Sequence, residues 1–180
     1  MQSIEFAILD WIQSNLRCSL LDAVLPFVSR LCDHGEIWIL LALVLSLIRQ
    51  TRRQGAAVFC GLTLDLIACN LLLKPLFNRI RPFALNSSIM LLIKPPLDAS
   101  FPSGHTAVSF AATFALKTAG TPLWKPSFVL AMIIAFSRLY LYVHWPSDVF
   151  GGALLGIFVG WAGAKLAESI NKKAASLRKK

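Results

Sequence analysis

Apolar positions along the chain change rhythm early, from a spaced stripe to nearly unbroken runs. Ile4, Ile8, Ile12 and Leu16 stand four apart, while Glu5, Gln13 and Asn15 fall off that stripe. This spacing predicts an amphipathic helix, and residues 1–18 read as an N-terminal element lying in the plane of a membrane interface, with packing against the bundle the alternative. Leu20 to Leu31 is apolar but short, and it carries Asp22, Pro26 and Arg30, which makes it a poor span. Asp33, His34 and Gly35 then form a turn. Ile37 to Ile48, Ala56 to Leu73, Phe128 to Val143 and Val149 to Leu166 are convincing apolar helices. Thr106 to Thr118 predicts another, shorter than the ~20 residues that cross a ~30 Å hydrocarbon core, so it begins inside a pocket.

The pattern predicts an all-α integral membrane protein, a bundle of about five to six helices with the amphipathic helix at its N-terminus. Residues 19–168 form the embedded domain and residues 169–180 a basic tail. Gly152, Gly156 and Gly160 repeat every fourth residue, so they share one helix face and let a neighbouring backbone come close. Composition agrees: of 180 residues 56% are apolar and 15% charged, which excludes a solvated disordered polymer. The mean hydropathy is +0.64. Cys18, Cys32, Cys60 and Cys69 form no C-x-x-C pair and no zinc-suited spacing with histidine, so they read as structural. The first residues lack a basic n-region, so no cleavable signal peptide is expected.

Charge raises the question of a partner. The net charge of +9, from 18 Lys and Arg against 9 Asp and Glu, fits nucleic acid, anionic lipid or a phosphorylated substrate. With the tail (Lys172, Lys173, Arg178, Lys179 and Lys180) in the cytoplasm, twelve basic residues fall inside, Arg17 among them. Six fall outside: Arg30, Lys74, Arg79, Arg81, Lys94 and Arg138. Cations divided across a bilayer do not make a nucleic-acid patch. The tail is expected to bind anionic cytoplasmic lipid, and the outer excess needs a local reason.

Three clusters supply one. Lys74, Asn78 and Arg81 are related as i, i+4 and i+7, so one helical turn would put both cations on one face, with Pro82 stopping it. Pro102, Ser103, Gly104 and His105 immediately precede an apolar helix, whose free N–H groups and Ser103 can meet an anion. Ser137 and Arg138 end one helix, while His144 and Asp148 flank Pro146 at the start of the next, within reach of one another. Outside the clusters, Asp65 is expected to make a structural hydrogen bond in the bundle interior, a proton pathway being the alternative. His34 reads as a solvated turn residue, Arg79 as solvated or bound to headgroups, and the stretch from Asn86 to Ala99, with Lys94, Pro95 and Pro96, as shaping headgroup access.

These clusters resemble the three-part signature of the type 2 phosphatidic acid phosphatase family, K-x6-R-P, P-S-G-H and S-R-x5-H-x3-D, matched at every position between Lys74 and Asp148. The resemblance implies a phosphatase that hydrolyses a lipid phosphate or diphosphate through a phosphohistidine. In that scheme His144 is the nucleophile, Asp148 orients it, and His105 is general acid and then base. Lys74, Arg81, Ser103, Gly104 and Arg138 bind phosphate, with no metal and no cofactor. Undecaprenyl diphosphate, phosphatidylglycerophosphate and phosphatidic acid are the implied substrates, cleaved at the extracytoplasmic face of a bacterial inner membrane. A phosphotransferase of the same fold and a lipid-phosphate binder or transporter are the alternatives, and oligomeric state is not legible.

Overall fold

The computed structural model describes residues 2–86 and 88–177, so Arg178, Lys179 and Lys180 of the basic tail lie outside the described residues. Helix α1 covers Gln2–Leu16, α2 Ser19–Arg30, α3 Glu36–Leu47 and α4 Arg52–Asp65. The chain continues from α4 through a π-helical stretch, Leu66–Leu73, into α5, Lys74–Phe77. Then follow α6, Pro82–Leu85, α7, Gly104–Thr118, α8, Trp124–Tyr140, and α9, Pro146–Leu177.

Helices α3, α4, α7, α8 and α9 form the main bundle, with α9 packed on α7 and α4, α8 on α7, and α3 on α4. Their common core holds Trp38, Ala42, Val58, Ala112, Ala115, Leu116, Ile134 and Ala164. The small residues have a steric reason. A Cβ on Gly152 would lie 2.6 Å from the Ser103 carbonyl oxygen, and on Gly156 or Gly160 it would collide with the carbonyls of Ala107 and Ala111. Helix α9 therefore lies almost backbone to backbone against α7, which fixes the start of α7 relative to the start of α9.

The outward faces are apolar: Leu40, Leu43, Leu47, Leu71, Leu72, Met132, Phe150 and Phe158 are exposed. So broad an apolar surface is stable only against lipid or another protein. Arg52–Leu85 and Pro146–Leu177, 34 and 32 residues, are long and apolar enough to cross a membrane. Helix α9 reaches Leu177, so residues 171–177 continue it, with Lys172 pairing to Glu168 at 2.6 Å.

Polar contacts tie the N-terminal third to the rest of the bundle. Helix α1 turns Leu9 and Ile12 inward and leaves Ile4, Ile8 and Trp11 exposed, so the stripe at intervals of four is divided between the outer surface and the bundle. Glu5 and Gln13, read as pointing away, face the bundle: Glu5 pairs with Arg79 at 2.7 Å, and the Gln13 amide donates to the Tyr140 carbonyl at 2.7 Å. Their polar contacts outweigh simple periodicity.

The segment from Leu20 to Leu31 does not cross. At the start of α2 the Cys18 N–H donates to the Tyr140 hydroxyl at 3.3 Å, and that hydroxyl donates to Asp22 at 2.7 Å. Just beyond the other end of α2, Asp33 meets His105. Tyr140 ends α8 and His105 begins α7, so both ends of α2 sit at one end of the bundle. Arg17, paired with Asp22 at 3.4 Å, sits there too. Moving it across changes the split of basic residues from twelve and six to eleven and seven.

Candidate active site

At that same end a cavity of about 1010 Å³ opens, lined by six of the eight residues singled out from the sequence: Lys74, Arg81, Gly104, His105, Arg138 and His144. Ser103 and Asp148 are fully buried behind its wall. Asp33, Asp65, Asn70 and Asp98 are among the other polar residues of its lining.

Lys74 and Arg81 reach the cavity by a route other than the one expected. The helix ends at Phe77, Asn78 adopts a left-handed conformation (φ 40°), and Arg81 is extended (φ −77°, ψ 151°). Pro82 opens α6 instead of closing a helix, in keeping with its fixed φ and missing N–H. The cations meet because Asp98 lies between them. Lys74 Nζ pairs with Asp98 Oδ2, Arg81 Nη2 donates to Oδ1 at 2.8 Å, and Arg81 Nε donates to the Asp98 carbonyl at 2.9 Å. Burial alone would raise the Asp98 carboxyl, but hydrogen bonds and charge from Lys74 and Arg81 hold it down at about 2. An anion thus already occupies the place that the resemblance gives to phosphate oxygens.

His144 is held by the turn between α8 and α9. The Val143 N–H donates to the Arg138 carbonyl at 3.2 Å, and Tyr142 takes a positive φ of 59°. For a tyrosine that conformation costs about 1–2 kcal/mol. It is held by the buried Tyr142 hydroxyl donating to Asp10 at 2.6 Å and by Trp145 Nε1 donating to the Ile80 carbonyl at 2.9 Å. Arg81 Nη1 lies 3.1 Å from His144 Nε2. A guanidinium can only donate, so Nε2 carries the lone pair and the proton sits on Nδ1. Nδ1 faces Asp148 Oδ2 at 3.5 Å. Burial first, then the charges of Arg81, Arg138 and Lys74, push the His144 pKa well below its ordinary value and keep the ring neutral.

Asp148 is saturated. Its Oδ2 accepts from the Trp145 N–H at 2.9 Å and from the Ser100 hydroxyl, and its Oδ1 accepts from Arg79 Nη1 at 2.6 Å. Arg79, read from the sequence as solvated or bound to headgroups, instead links Asp148 to Glu5 and to Ser147 Oγ, which it reaches at 2.6 Å. Trp145 lies beneath that guanidinium, 5.3 Å away. Nothing local in the sequence marks Arg79 or Ser100 as partners of Asp148, or Glu5 as the partner of Arg79. Their separations of 48 to 74 positions leave no periodic trace.

The remaining groups divide. His105 Nε2 donates to Asp33 Oδ1 at 3.1 Å. Arg138 is 2% exposed and donates through Nη1 to Ser29 Oγ, while its Nε has no partner among the described residues. A buried guanidinium with an unmet N–H is an expensive arrangement that an anion in the cavity relieves. Ser103 Oγ pairs with Thr106 Oγ1 at 2.9 Å and is turned from the cavity. Its N–H donates to the Asp148 carbonyl at 3.0 Å, tying α7 to α9. Asp65 is buried as expected, but Oδ1 has no hydrogen-bond partner among the described residues, so the structural bond expected of it is not made. His34 is solvated and pairs with Glu36 at 2.8 Å.

Three cations around one cavity can hold the nonbridging oxygens of a phosphoryl group, and a neutral imidazole with a directed lone pair can attack phosphorus. Bundle and cavity together define a helical protein built to handle phosphate at the end of an apolar scaffold. Comparison sharpens that class to a family: residues 54–171 match the PAP2 superfamily, and the chain belongs to it. It is 29% identical over 147 residues to an undecaprenyl-diphosphatase of Sulfolobus acidocaldarius, across 81% of this chain and 70% of that one. The crystal structure of Aquifex aeolicus LpxE superposes with a TM-score of 0.76 at 30% identity, across 89% of this chain and 94% of that one. The PAP2-type phosphatidylglycerolphosphate phosphatase of Bacillus subtilis shares the fold at a TM-score of 0.74 and 22% identity, across 96% and 86%.

Proposed function

We propose that this protein is an integral membrane phosphatase that hydrolyses a lipid phosphate or diphosphate, with undecaprenyl diphosphate the first candidate. The observation that carries the reading is the approach of Arg81 to His144 Nε2 at 3.1 Å with Asp148 behind the ring. A binder has use for the cations but none for an oriented nucleophile. The name of the Sulfolobus relative supports the prenyl diphosphate.

In this mechanism Lys74, Arg81 and Arg138 take the nonbridging oxygens, displacing Asp98, and the Gly104 N–H at the start of α7 adds a donor. His144 Nε2 attacks phosphorus while His105 protonates the leaving oxygen, giving a phosphohistidine. Water then attacks phosphorus, His105 accepts its proton, and the bond to His144 breaks. Ser103 contributes by anchoring α7 to α9 and not through its hydroxyl. The three side-chain cations do the work of charge stabilisation without a metal ion.

Phosphate release from undecaprenyl diphosphate, phosphatidylglycerophosphate and phosphatidic acid in detergent tests the reading. Release unaffected by chelator and inhibited by vanadate is the expected result. Tight binding without release overturns hydrolysis in favour of a binder, and phosphate recovered on an acceptor other than water identifies a phosphotransferase.

The site end faces the extracytoplasmic side and the C-terminus the cytoplasm, which the eleven-to-seven distribution of basic residues supports. In a chain with Cys18 replaced by serine, an impermeant maleimide should label Leu97→Cys in intact cells and Ser176→Cys only after permeabilisation. The reverse pattern inverts the topology.

A further inference from the structure

Among the carboxylates that enter the site from outside the three signature clusters, Asp33 meets a histidine. Asp33 Oδ1 accepts from His105 Nε2 at 3.1 Å across 72 positions of sequence. The steps described above give it no role.

The contact is built into the fold. The turn that carries Asp33 closes through the Cys32 N–H on the Ser29 carbonyl at 3.0 Å and the Gly35 N–H on the Cys32 carbonyl at 3.2 Å. Gly35 has a φ of 78°, and a Cβ there would sit 3.3 Å from Val108. Cys32 Sγ lies 3.5 Å from Ser109 Oγ, to which Trp38 Nε1 also donates at 2.9 Å. Ser109 stands one helical turn beyond His105 on α7, so the turn is docked on the helix whose first residues it serves. Asp33 itself remains half-exposed, with a side-chain accessibility of 49%.

We propose that Asp33 is a positioning residue for His105, orienting its ring and offsetting the cations around it so that the imidazolium remains available as a proton donor. This rests on the general acid–base role given to His105 above. The charged groups that act on the ring are Arg138 from α8, Lys74 from α5 and Asp33 from the turn, with Arg81 and His144 lining the same cavity. Burial first, and then the cations, oppose a positive charge on the ring, and Asp33 is the carboxylate that hydrogen-bonds it. The bond to His105, against the opposing effect of burial, lowers the Asp33 carboxyl below its usual range and keeps it ionised.

With Nε2–H committed to Asp33, Nδ1 is the nitrogen that exchanges protons. As the bond from His144 Nε2 to phosphorus forms and the P–O bond breaks, Nδ1 gives its proton to the leaving oxygen. Water then adds to phosphorus as the N–P bond breaks, and its proton returns to Nδ1. Asp33 neither gains nor loses a proton through the cycle.

The test pairs kinetics with a readout independent of turnover. In histidine-labelled protein in detergent, the ring signal lost in His105→Ala identifies His105. In Asp33→Asn its titration midpoint should fall by about one pH unit. With undecaprenyl diphosphate, kcat of that variant should fall about 10- to 100-fold, part of the ~10²–10⁴-fold that a positioned acid–base supplies. The alkaline limb of its pH profile should move down in step while KM stays within about twofold, and Asp33→Glu should restore most of the rate. In a His105→Ala background, Asp33→Asn should cause no further loss. An unchanged midpoint, an equal loss in both backgrounds, or a faster Asp33→Asn enzyme overturns the proposal. A wild-type chain that releases phosphate from none of the three lipids sinks the hydrolase reading instead, and the midpoint then decides the Asp33–His105 coupling alone.

Discussion

The two histidines of the cavity are each backed by an aspartate, yet the two pairs are built in opposite ways. His144 and Asp148 are four residues apart across the start of α9, and both are essentially inaccessible, at 1% and 0% exposure. Asp148 is locked by Ser100, Trp145 and Arg79, and Arg79 is fixed by Glu5 of α1. His105 and Asp33 come from distant segments, and Asp33 projects half-exposed from a turn. A nucleophile must be held in one tautomer and one direction for the whole cycle, which favours rigidity and exclusion of water. An acid–base group must meet a leaving oxygen and then a water, which favours a partner that solvent can reach. The difference in burial therefore matches the division of roles proposed for the two rings.

The sharpest way to break this comparison is to exchange the roles. His144→Ala should reduce phosphate release by about 10⁴-fold or more while the chain keeps its helical circular dichroism, because the proposed mechanism gives the covalent intermediate to His144 alone. His105→Ala should keep a residual rate above that of His144→Ala, since nucleophile and cations remain. If the two variants rank the other way, the assignments are reversed. The pH profile adds a sign. His144 must be neutral to attack, and burial, then Arg81, Arg138 and Lys74, push its pKa well below the ordinary 6.5. Activity should therefore persist on the acid side of 6.5 and fail only as pH drops through that lowered value, where the ring protonates and the lone pair is lost. An acid limb at or above 6.5 contradicts the neutral, buried nucleophile.

Smaller effects probe what locks the rigid pair. Asp148→Asn keeps the shape but presents an amide that can donate toward Nδ1, which disfavours the required tautomer. A loss of about 10²–10⁴-fold in kcat is expected with little change in KM. Arg79→Ala leaves Asp148 in place but removes its tie to Glu5, so a fall of about tenfold in kcat with a lower melting temperature should follow. Glu5→Gln should reproduce part of that loss, and wild-type kinetics in both variants would show that α1 has no part in holding the site.

Sequence reasoning reached the rigid pair and missed the surroundings of both. His144 and Asp148 share a helix start and a fixed spacing of four, and Gly152, Gly156 and Gly160 repeat on one face, so local geometry writes them into the pattern. The eight candidate residues converge at one end of the bundle, six on the cavity wall and two behind it. Asp33, Asp98, Arg79 and Glu5 follow no period, and charged residues in turns and on an amphipathic helix read as solvated. Their partners stand 17 to 142 positions away, and only the folded chain brings them together. The left-handed Asn78 and the return of α2 to its own side are likewise set by tertiary contacts, Arg81 on Asp98 and Tyr140 on Asp22, that override propensity and hydropathy.

The mildest expected effect concerns the carboxylate that joins the two halves of the site. Asp98 pairs with Lys74 and Arg81, and in the proposed mechanism the substrate phosphate displaces it. Asp98→Asn removes that competing charge without changing the size of the side chain, so KM and the inhibition constant for free phosphate should each fall about two- to tenfold, with kcat little altered. Because the Asp98 carboxyl is held at about 2, it is ionised at every pH where the histidines work, and the gain should not vary with pH. The same substitution should leave the effects of Asp33→Asn and Asp148→Asn unchanged, since Asp98 contacts the cations and neither histidine. A rise in KM would instead mean that Asp98 holds Lys74 and Arg81 in their binding positions, and that the clamp, like the nucleophile, depends on a fixed carboxylate.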